Sequence, residues 1–155
     1  MPDIVCRVVD CHVFTWRNRI PYYLLLKRSS DVVYAGSWRM VGGKIEQEEK
    51  AWQTAQRELR EETGLQIERL WAVPFVNQFY EPDKDRVNVI PVFAAQVREG
   101  VVTLSPEHSE YKWATFEETF AELPWPAQKE GLRIAHEFIV GLREVSGFLE
   151  IKLQP

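Results

Sequence analysis

The sequence has little cysteine and no long apolar run, and each shortage excludes a class of protein. Its 155 residues include two cysteines, Cys6 and Cys11, which are too few for a disulfide framework. Within one strand their separation would span about 16 Å, whereas bridged Cα atoms lie within about 7 Å of each other. We therefore expect free thiols and a reducing cytoplasm. No apolar run reaches the roughly 18 residues of a transmembrane helix, and no signal peptide is recognisable, so no membrane association is expected.

Basic residues are also too few for a nucleic-acid-binding protein. The chain has 19 lysines and arginines against 23 acidic residues, for a formal net charge of -4. A nucleic-acid-binding surface requires a basic patch or stripe, so we expect no nucleic-acid partner. A small phosphate-containing substrate held through metal ions remains compatible with this charge. Repeats and linker-like stretches are absent from the sequence, and residues 1–155 are expected to form one domain.

The spacing of apolar residues predicts the element order β-β-β-α-β-β-β-α-α. Segments rich in β-branched and aromatic residues predict strands over 4–16, 21–27, 38–41, 67–80, 86–98 and 111–114. The continuous apolar run in 21–27 indicates a strand that is buried on both faces. Helical periodicity predicts helices over 48–62, 116–123 and 127–142. This order is typical of an α/β fold with a mixed sheet covered by helices on both faces.

One segment, residues 42–65, carries an unusual cluster of carboxylates. Glu58, Glu61 and Glu62 fall on the second half of the predicted helix, within an arc of about 100° that borders the apolar stripe. Like charges at this spacing, near a helix C-terminus, destabilise the helix, so a compensating cation is expected. Carboxylate oxygens suit Mg²⁺ or Mn²⁺. The alternative interpretation is a solvated charged face with Arg57 and Arg60 as its partners.

The same segment resembles the Nudix box, GX5EX7REUXEEXGU with U aliphatic. Every fixed position of that pattern is present between Gly43 and Leu65, including Glu49, Arg57 and the three glutamates. The resemblance implies an α/β/α sandwich with a central mixed sheet. It also implies hydrolysis of a nucleoside diphosphate linked to another group, X. Two neighbouring positions differ from many members, which have glycine where this chain has Glu48 and proline where it has Val41.

The resemblance also implies roles for the residues of the box. Glu58, Glu61 and Glu62 would bind a divalent metal ion, together with a backbone oxygen of Gly43. Glu61 and Glu62 are the catalytic candidates within the box, and either Glu62 or a carboxylate outside the box would activate water. Arg57 and Glu49 would form an ion pair that supports the loop and the helix.

A second run, residues 107–113, resembles part of the Nudix enzymes that act on dATP or dihydroneopterin triphosphate. By that likeness Glu107 is a fourth metal ligand or the base, and the alternative is an ordinary loop residue. Phosphate binding requires basic groups, and the base of a substrate requires stacking and polar contacts. The candidates for these contacts are Lys27, Arg28, Arg39, Trp38, Tyr80 and Asn77. For each of them a purely structural role is the alternative.

Three functional hypotheses follow from the sequence. The leading one is a cytoplasmic, Mg²⁺-dependent hydrolase, with Mn²⁺ as a substitute, that converts a (deoxy)nucleoside triphosphate or dihydroneopterin triphosphate into a monophosphate and pyrophosphate. The second is the same chemistry on ADP-ribose, a nucleotide sugar or a dinucleoside polyphosphate. The third is a non-catalytic module that binds a small nucleotide. A homodimer is compatible with the sequence, which predicts no particular interface.

Overall fold

The computed structural model describes residues 1–141 and 149–153, which form a mixed sheet and three helices. The strands are β1 (Asp3–Val5), β2 (Val8–Arg17), β3 (Ile20–Arg28), β4 (Trp38–Arg39), β5 (Val41–Lys44), β6 (Ile67–Glu81), β7 (Arg86–Val97), β8 (His108–Ala114) and β9 (Glu150–Ile151). The helices are α1 (Ala51–Thr63), α2 (Phe116–Glu122) and α3 (Pro126–Gly141). No helix in these two ranges is long and apolar enough to cross a membrane.

The sheet is mixed, as predicted. Its strands follow the order β4-β3-β2-β7-β6-β9, while β1 pairs with β7, β5 with β2, and β8 with β3. The pairs β2–β7 and β1–β7 are parallel, and the other pairs are antiparallel. In the central parallel pair, Asp10 lies opposite Val92 and Phe14 opposite Gln96.

Alternate side chains of the central strands pack into two separate hydrophobic cores, one on each face of the sheet. Val13 and Leu24 pack on the face covered by α1, with Leu59 of that helix. Phe14 and Leu25, the next residue along each strand, pack on the opposite face with Phe138 of α3. Burial of β3 on both faces explains its unbroken apolar run and confirms that prediction. The predicted α/β/α sandwich is therefore confirmed.

Several predicted boundaries were wrong where tertiary pairing decides the backbone. The first strand divides into β1 and β2, because β1 pairs with β7 while β2 begins opposite the end of β5. The predicted strand 38–41 likewise divides at Met40. The last predicted strand begins earlier, at His108, because its pairing with β3 continues to Arg28 across a register shift. Strand β9 was not predicted, and position 142, predicted as the end of the last helix, lies outside the described residues.

Helix α1 begins three residues later than predicted. Glu48 has a φ of 65°, in the left-handed region, so the helix does not begin there. The backbone N–H of Lys50 donates to the side chain of Gln53 at 2.9 Å, which caps the first turn. Gly64 ends the helix with a φ of 73°, and its N–H donates to Arg60 O at 2.8 Å. The glycine therefore ends the helix in the left-handed conformation that is typical of a C-terminal cap.

Candidate active site

Two adjacent glycines let strand β5 approach both α1 and β2 closely. A Cβ atom on Gly43 would lie 2.2 Å from Cδ of Glu58, and one on Gly42 would lie 2.7 Å from the carbonyl oxygen of Val9. A side chain at position 42 would clash with the backbone, and one at position 43 would force the Glu58 carboxylate to move. The glycines therefore bring the Glu58 carboxylate against the backbone of β5, at the point where the sequence predicted a metal-binding backbone oxygen.

Arg57 and Glu49 form the ion pair that the sequence predicted. Nε of Arg57 lies 2.8 Å from Oε2 of Glu49, and Nη2 lies 3.0 Å from Oε1. Arg57 also donates to the carbonyl oxygen of Lys44 at 2.9 Å, and Thr54 donates to Glu49 at 2.6 Å. The guanidinium lowers the pKa of Glu49 to about 2. These bonds join the end of β5 and the loop before α1 to the middle of the helix.

The three box glutamates occupy different environments. Glu62 is 5% exposed, and its Oε2 has no hydrogen-bond partner within the described part of the chain. Burial, together with the charge of Glu58, raises the pKa of Glu62 to about 8, although Arg39 and a hydrogen bond from the backbone of Gly42 act in the opposite direction. Glu58 accepts from Arg57 at 2.8 Å, and burial raises its pKa. The Glu61 side chain is 57% exposed and lies 3.1 Å from Arg57.

This arrangement fits a hard divalent cation. Across residues 1–141 and 149–153, no three acidic, histidine or cysteine side chains already converge on one point, because Glu58 and Glu61 turn toward Arg57. Nevertheless, Oε2 of Glu62 is a buried carboxyl oxygen that has no hydrogen-bond partner among the described residues, one helical turn from the Glu58 carboxylate. Hard oxygen donors of this kind are those that Mg²⁺ and Mn²⁺ prefer.

Glu107 lies beside the glutamates of the box, although it comes from the loop before β8. Its negative charge contributes to the raised pKa values of Glu58 and Glu62. The side chain is mostly exposed, and Oε2 lies 3.8 Å from Nη1 of Arg28. The structure thus brings a fourth carboxylate and one predicted phosphate-binding cation to the same edge of the sheet.

A buried polar cluster on the other side of Gly42 was missed by the sequence reasoning. Asp10 is buried, which raises the pKa of its carboxyl group, while Arg39 and a 3.4 Å hydrogen bond from Asn77 partly offset the effect. An ideal Cβ on Gly42 would lie 3.7 Å from both Asp10 Oδ1 and Arg39 Nη2. The available signal was an aspartate within the apolar run VVDCHV, where a charge requires a partner.

His108 is a second buried polar residue near these groups. Neither of its ring nitrogens has a hydrogen-bond partner in residues 1–141 and 149–153. Burial and the nearby guanidiniums of Arg39 and Arg28 lower its pKa to about 4, so the imidazole is neutral at pH 7.

The other candidates for substrate contacts are less closely connected to the glutamates. Lys27 pairs with Glu110 at 3.0 Å. Nζ of Lys112 lies 4.3 Å from the centroid of the Trp38 ring. That face of the ring already contacts an ammonium group. Tyr80 donates its hydroxyl to Asp85 at 2.6 Å, within the β6–β7 hairpin. Hydrogen bonds therefore do not link Tyr80 to the box.

The profile of the NUDIX domain matches residues 6–138, which include the glycines, the box and Glu107. The chain belongs to the Nudix family. As a Nudix hydrolase it acts on phosphorus-containing anhydrides.

The chain is similar to Nudix proteins with two kinds of substrate in their names. The mouse (Mus musculus) bis(5'-nucleosyl)-tetraphosphatase [asymmetrical] is 28% identical over 120 residues, which cover 76% of this chain and 80% of that protein. An Ap4A hydrolase from C. elegans, solved as a binary complex, has a TM-score of 0.74 and 22% identity, covering 88% of this chain and 98% of that one. The E. coli dihydroneopterin triphosphate pyrophosphohydrolase has a TM-score of 0.68 and 19% identity, covering 81% and 91%. The two structures support the fold alone.

Proposed function

We propose that this Nudix hydrolase cleaves a dinucleoside polyphosphate asymmetrically. The observation that carries this proposal is the similarity to the mouse tetraphosphatase over four-fifths of that protein. From the sequence, this substrate class was the alternative hypothesis, and a nucleoside triphosphate was the preferred substrate. The relatives reverse that order of preference, while the reaction type remains the same.

A divalent cation, Mg²⁺ or Mn²⁺, would be held by Glu58 and Glu62, by Glu61 after rotation away from Arg57, and by the backbone at Gly43. When bound, it supplies charge neutralisation of the polyphosphate and lowers the pKa of a coordinated water. Oε2 of Glu62 is positioned to accept a proton, because it is buried and no described residue forms a hydrogen bond with it. Glu107 is the second candidate for this role.

The chain also has cations for the phosphates at the same edge of the sheet. Arg28 lies beside Glu107, and Arg39 acts electrostatically on Glu62, Asp10 and His108. Guanidinium groups suit phosphate oxygens because they donate two parallel hydrogen bonds. Lys27 precedes Arg28 on the same strand and is paired with Glu110. This ion pair would have to break before Lys27 could contact a longer polyphosphate.

A nucleoside triphosphate, or dihydroneopterin triphosphate, is the second candidate substrate. The position of Glu107 favours it, since this residue was identified through its likeness to that branch and does lie near Glu58 and Glu62. ADP-ribose and nucleotide sugars have no comparable support among the residues of the site. A homodimer stays a prediction.

A turnover panel with identified products tests these proposals. Purified protein with Mg²⁺ or Mn²⁺ is given diadenosine tetraphosphate, nucleoside triphosphates, dihydroneopterin triphosphate, ADP-ribose and nucleotide sugars. Formation of a nucleoside monophosphate and a nucleoside triphosphate from diadenosine tetraphosphate supports the proposal. Cleavage of triphosphates alone, to monophosphate and pyrophosphate, would replace it with the second candidate. Tight binding without metal-dependent turnover on the whole panel would instead support the non-catalytic module.

A further inference from the structure

Two exposed aromatic rings form a corner beside the proposed phosphate-binding cations. Tyr34 is 63% exposed and Trp125 is 49% exposed, yet their ring centroids lie 5.8 Å apart at an interplanar angle of 81°. Such an edge-to-face pair leaves ring faces open at right angles to each other. A flat aromatic ligand can stack on one ring and bring its edge to the other.

The segment that carries Tyr34 is anchored directly on Arg28. Residues 29–37 connect β3 to β4, beginning after Arg28 and ending before Trp38. The backbone of Arg28 bonds to Ser37 and Gly36 at 2.9 and 3.0 Å, and its Nε donates to the carbonyl oxygen of Val33 at 3.1 Å. The same side chain lies 3.8 Å from Glu107. One arginine thus connects the edge of the carboxylate cluster to the residue before Tyr34.

Tyr34 also adopts a backbone conformation that is unusual for a bulky residue. Its φ is 59°, in the left-handed region, which L side chains other than Asn and Asp rarely adopt. Two hydrogen bonds from Ser37 to the carbonyl oxygen of Tyr34, at 3.1 and 2.7 Å, hold this conformation. The loop therefore presents the ring outward, toward Trp125 at the start of α3.

We propose that the Tyr34–Trp125 corner is a stacking subsite for the second nucleobase of the substrate, the base joined to the end of the polyphosphate beyond the cleaved bond. This inference rests on the proposed function, because only a dinucleoside substrate has a second base. A polyphosphate that runs from the glutamates past Arg28 reaches the corner with that base. Base–aromatic stacking tolerates different bases, so the subsite recognises a nucleobase as a class.

Equilibrium binding of two ligands isolates the second base. Diadenosine tetraphosphate and adenosine 5'-tetraphosphate share one nucleoside and four phosphates, and differ in the second adenosine. Titrations use the Glu62→Gln background with Mg²⁺, which slows turnover during the measurement. We expect the dinucleoside to bind more tightly, and Tyr34→Ala or Trp125→Ala to reduce that advantage by about five- to a hundredfold. Tyr34→Phe and Trp125→Phe keep an aromatic ring, so they should retain most of the affinity advantage of the dinucleoside.

Trp16→Ala is the matched control, because Trp16 is an exposed tryptophan (42%) on β2, beside the end of β3 that is far from Arg28. It lies opposite Pro21, about 23 Å along the strand from Arg28 at roughly 3.3 Å per residue. The subsite would be overturned if the Glu62→Gln protein with both rings intact bound the two ligands equally tightly. It would also be overturned if both alanine variants bound the dinucleoside as favourably, relative to adenosine 5'-tetraphosphate, as that protein does. If the wild-type enzyme cleaves triphosphates but not diadenosine tetraphosphate, the proposed function fails, and the same titrations still decide whether the corner binds a second base.

Discussion

Gly43 and Glu58 approach so closely that the glycine has no room for even a methyl group. The Cβ of an alanine at position 43 would lie 2.2 Å from Cδ of Glu58. The Glu58 carboxylate that would have to move is a candidate metal ligand. Gly43→Ala is therefore expected to displace Glu58, reduce kcat/KM at least tenfold and destabilise the fold by about 1–3 kcal/mol.

Steady-state kinetics and denaturant unfolding measure these two effects. Gly141→Ala is the matched control, because a Cβ there meets none of the described residues within 4 Å and its φ is not positive. Wild-type activity in a folded Gly43→Ala protein would show that the position of Glu58 does not matter for the reaction.

Glu62 is predicted to accept the proton from water. Glu62→Gln keeps the size of the side chain and removes the proton acceptor, so we expect kcat to fall by about two to four orders of magnitude. Circular dichroism should show an unchanged fold. Glu68→Gln, an exposed glutamate of β6, serves as the control. Near-normal turnover by folded Glu62→Gln protein would transfer the role to another group.

The pH dependence of stability provides a separate test of the environment of Glu62. Its pKa is raised from 4.5 to about 8, so without metal the native state retains a proton that the unfolded chain releases. The free energy of unfolding should therefore fall as the pH rises from about 4.5 to 8, by up to a few kcal/mol. The measurement is urea unfolding across this range in EDTA.

Comparison with Glu62→Gln removes the contributions of other groups. Burial lowers the pKa of His12 to about 4, and this acts in the opposite direction below pH 6.5. His12 contributes equally to both proteins, so their difference reports on Glu62. A difference that does not change with pH would show that Glu62 titrates normally.

Arg57 is predicted to support the box through its planar fork of donors. Arg57→Lys keeps the charge but cannot donate two parallel bonds to Glu49 while also reaching Lys44 O. We expect a loss of about 1–3 kcal/mol in unfolding free energy. We also expect weaker metal-dependent activity. Arg60→Lys, on the exposed side of the same helix, is the control for the lysine substitution itself. Equal stability of the two variants would show that this network contributes little.

Glu107 is predicted to act with the box glutamates. Glu107→Gln should reduce kcat about tenfold or more if it is a metal ligand or base. The metal concentration for half-maximal activity should rise as well. Glu117→Gln, an exposed glutamate of α2, gives the matched charge change away from the site. If both variants behave like wild type, Glu107 is an ordinary loop residue.

The sequence was sufficient for features that depend on local spacing. The helical period placed Glu58 and Glu62 at the edge of the core, and the resemblance to the Nudix box implied the ion pair between Glu49 and Arg57. Both depend on residues within one segment. The continuous apolar run of β3 also correctly indicated burial on two faces.

Features that depend on long-range pairing were not predictable in the same way. Asp10 was missed because its significance depends on Asn77 and Arg39, which come from distant strands. The backbone conformation of Glu48, at a position where many Nudix members have glycine, could not be predicted from the sequence. The structure shows it in the left-handed region, in a turn where the N–H of Glu49 donates to the carbonyl of Glu46. Strand β9 has two residues and forms by pairing with Leu70 and Trp71, so its sequence carries no recognisable period.

The parallel pairing of β2 with β7 has a consequence for how this enzyme is made. The register places Asp10 beside Val92, about 80 residues further along the chain. Closing so long a loop is entropically unfavourable and slows folding. During synthesis the box helix leaves the ribosome before β7 does, when the centre of its supporting sheet is still incomplete. The carboxylates therefore reach their final environment only after more than half of the chain has been translated.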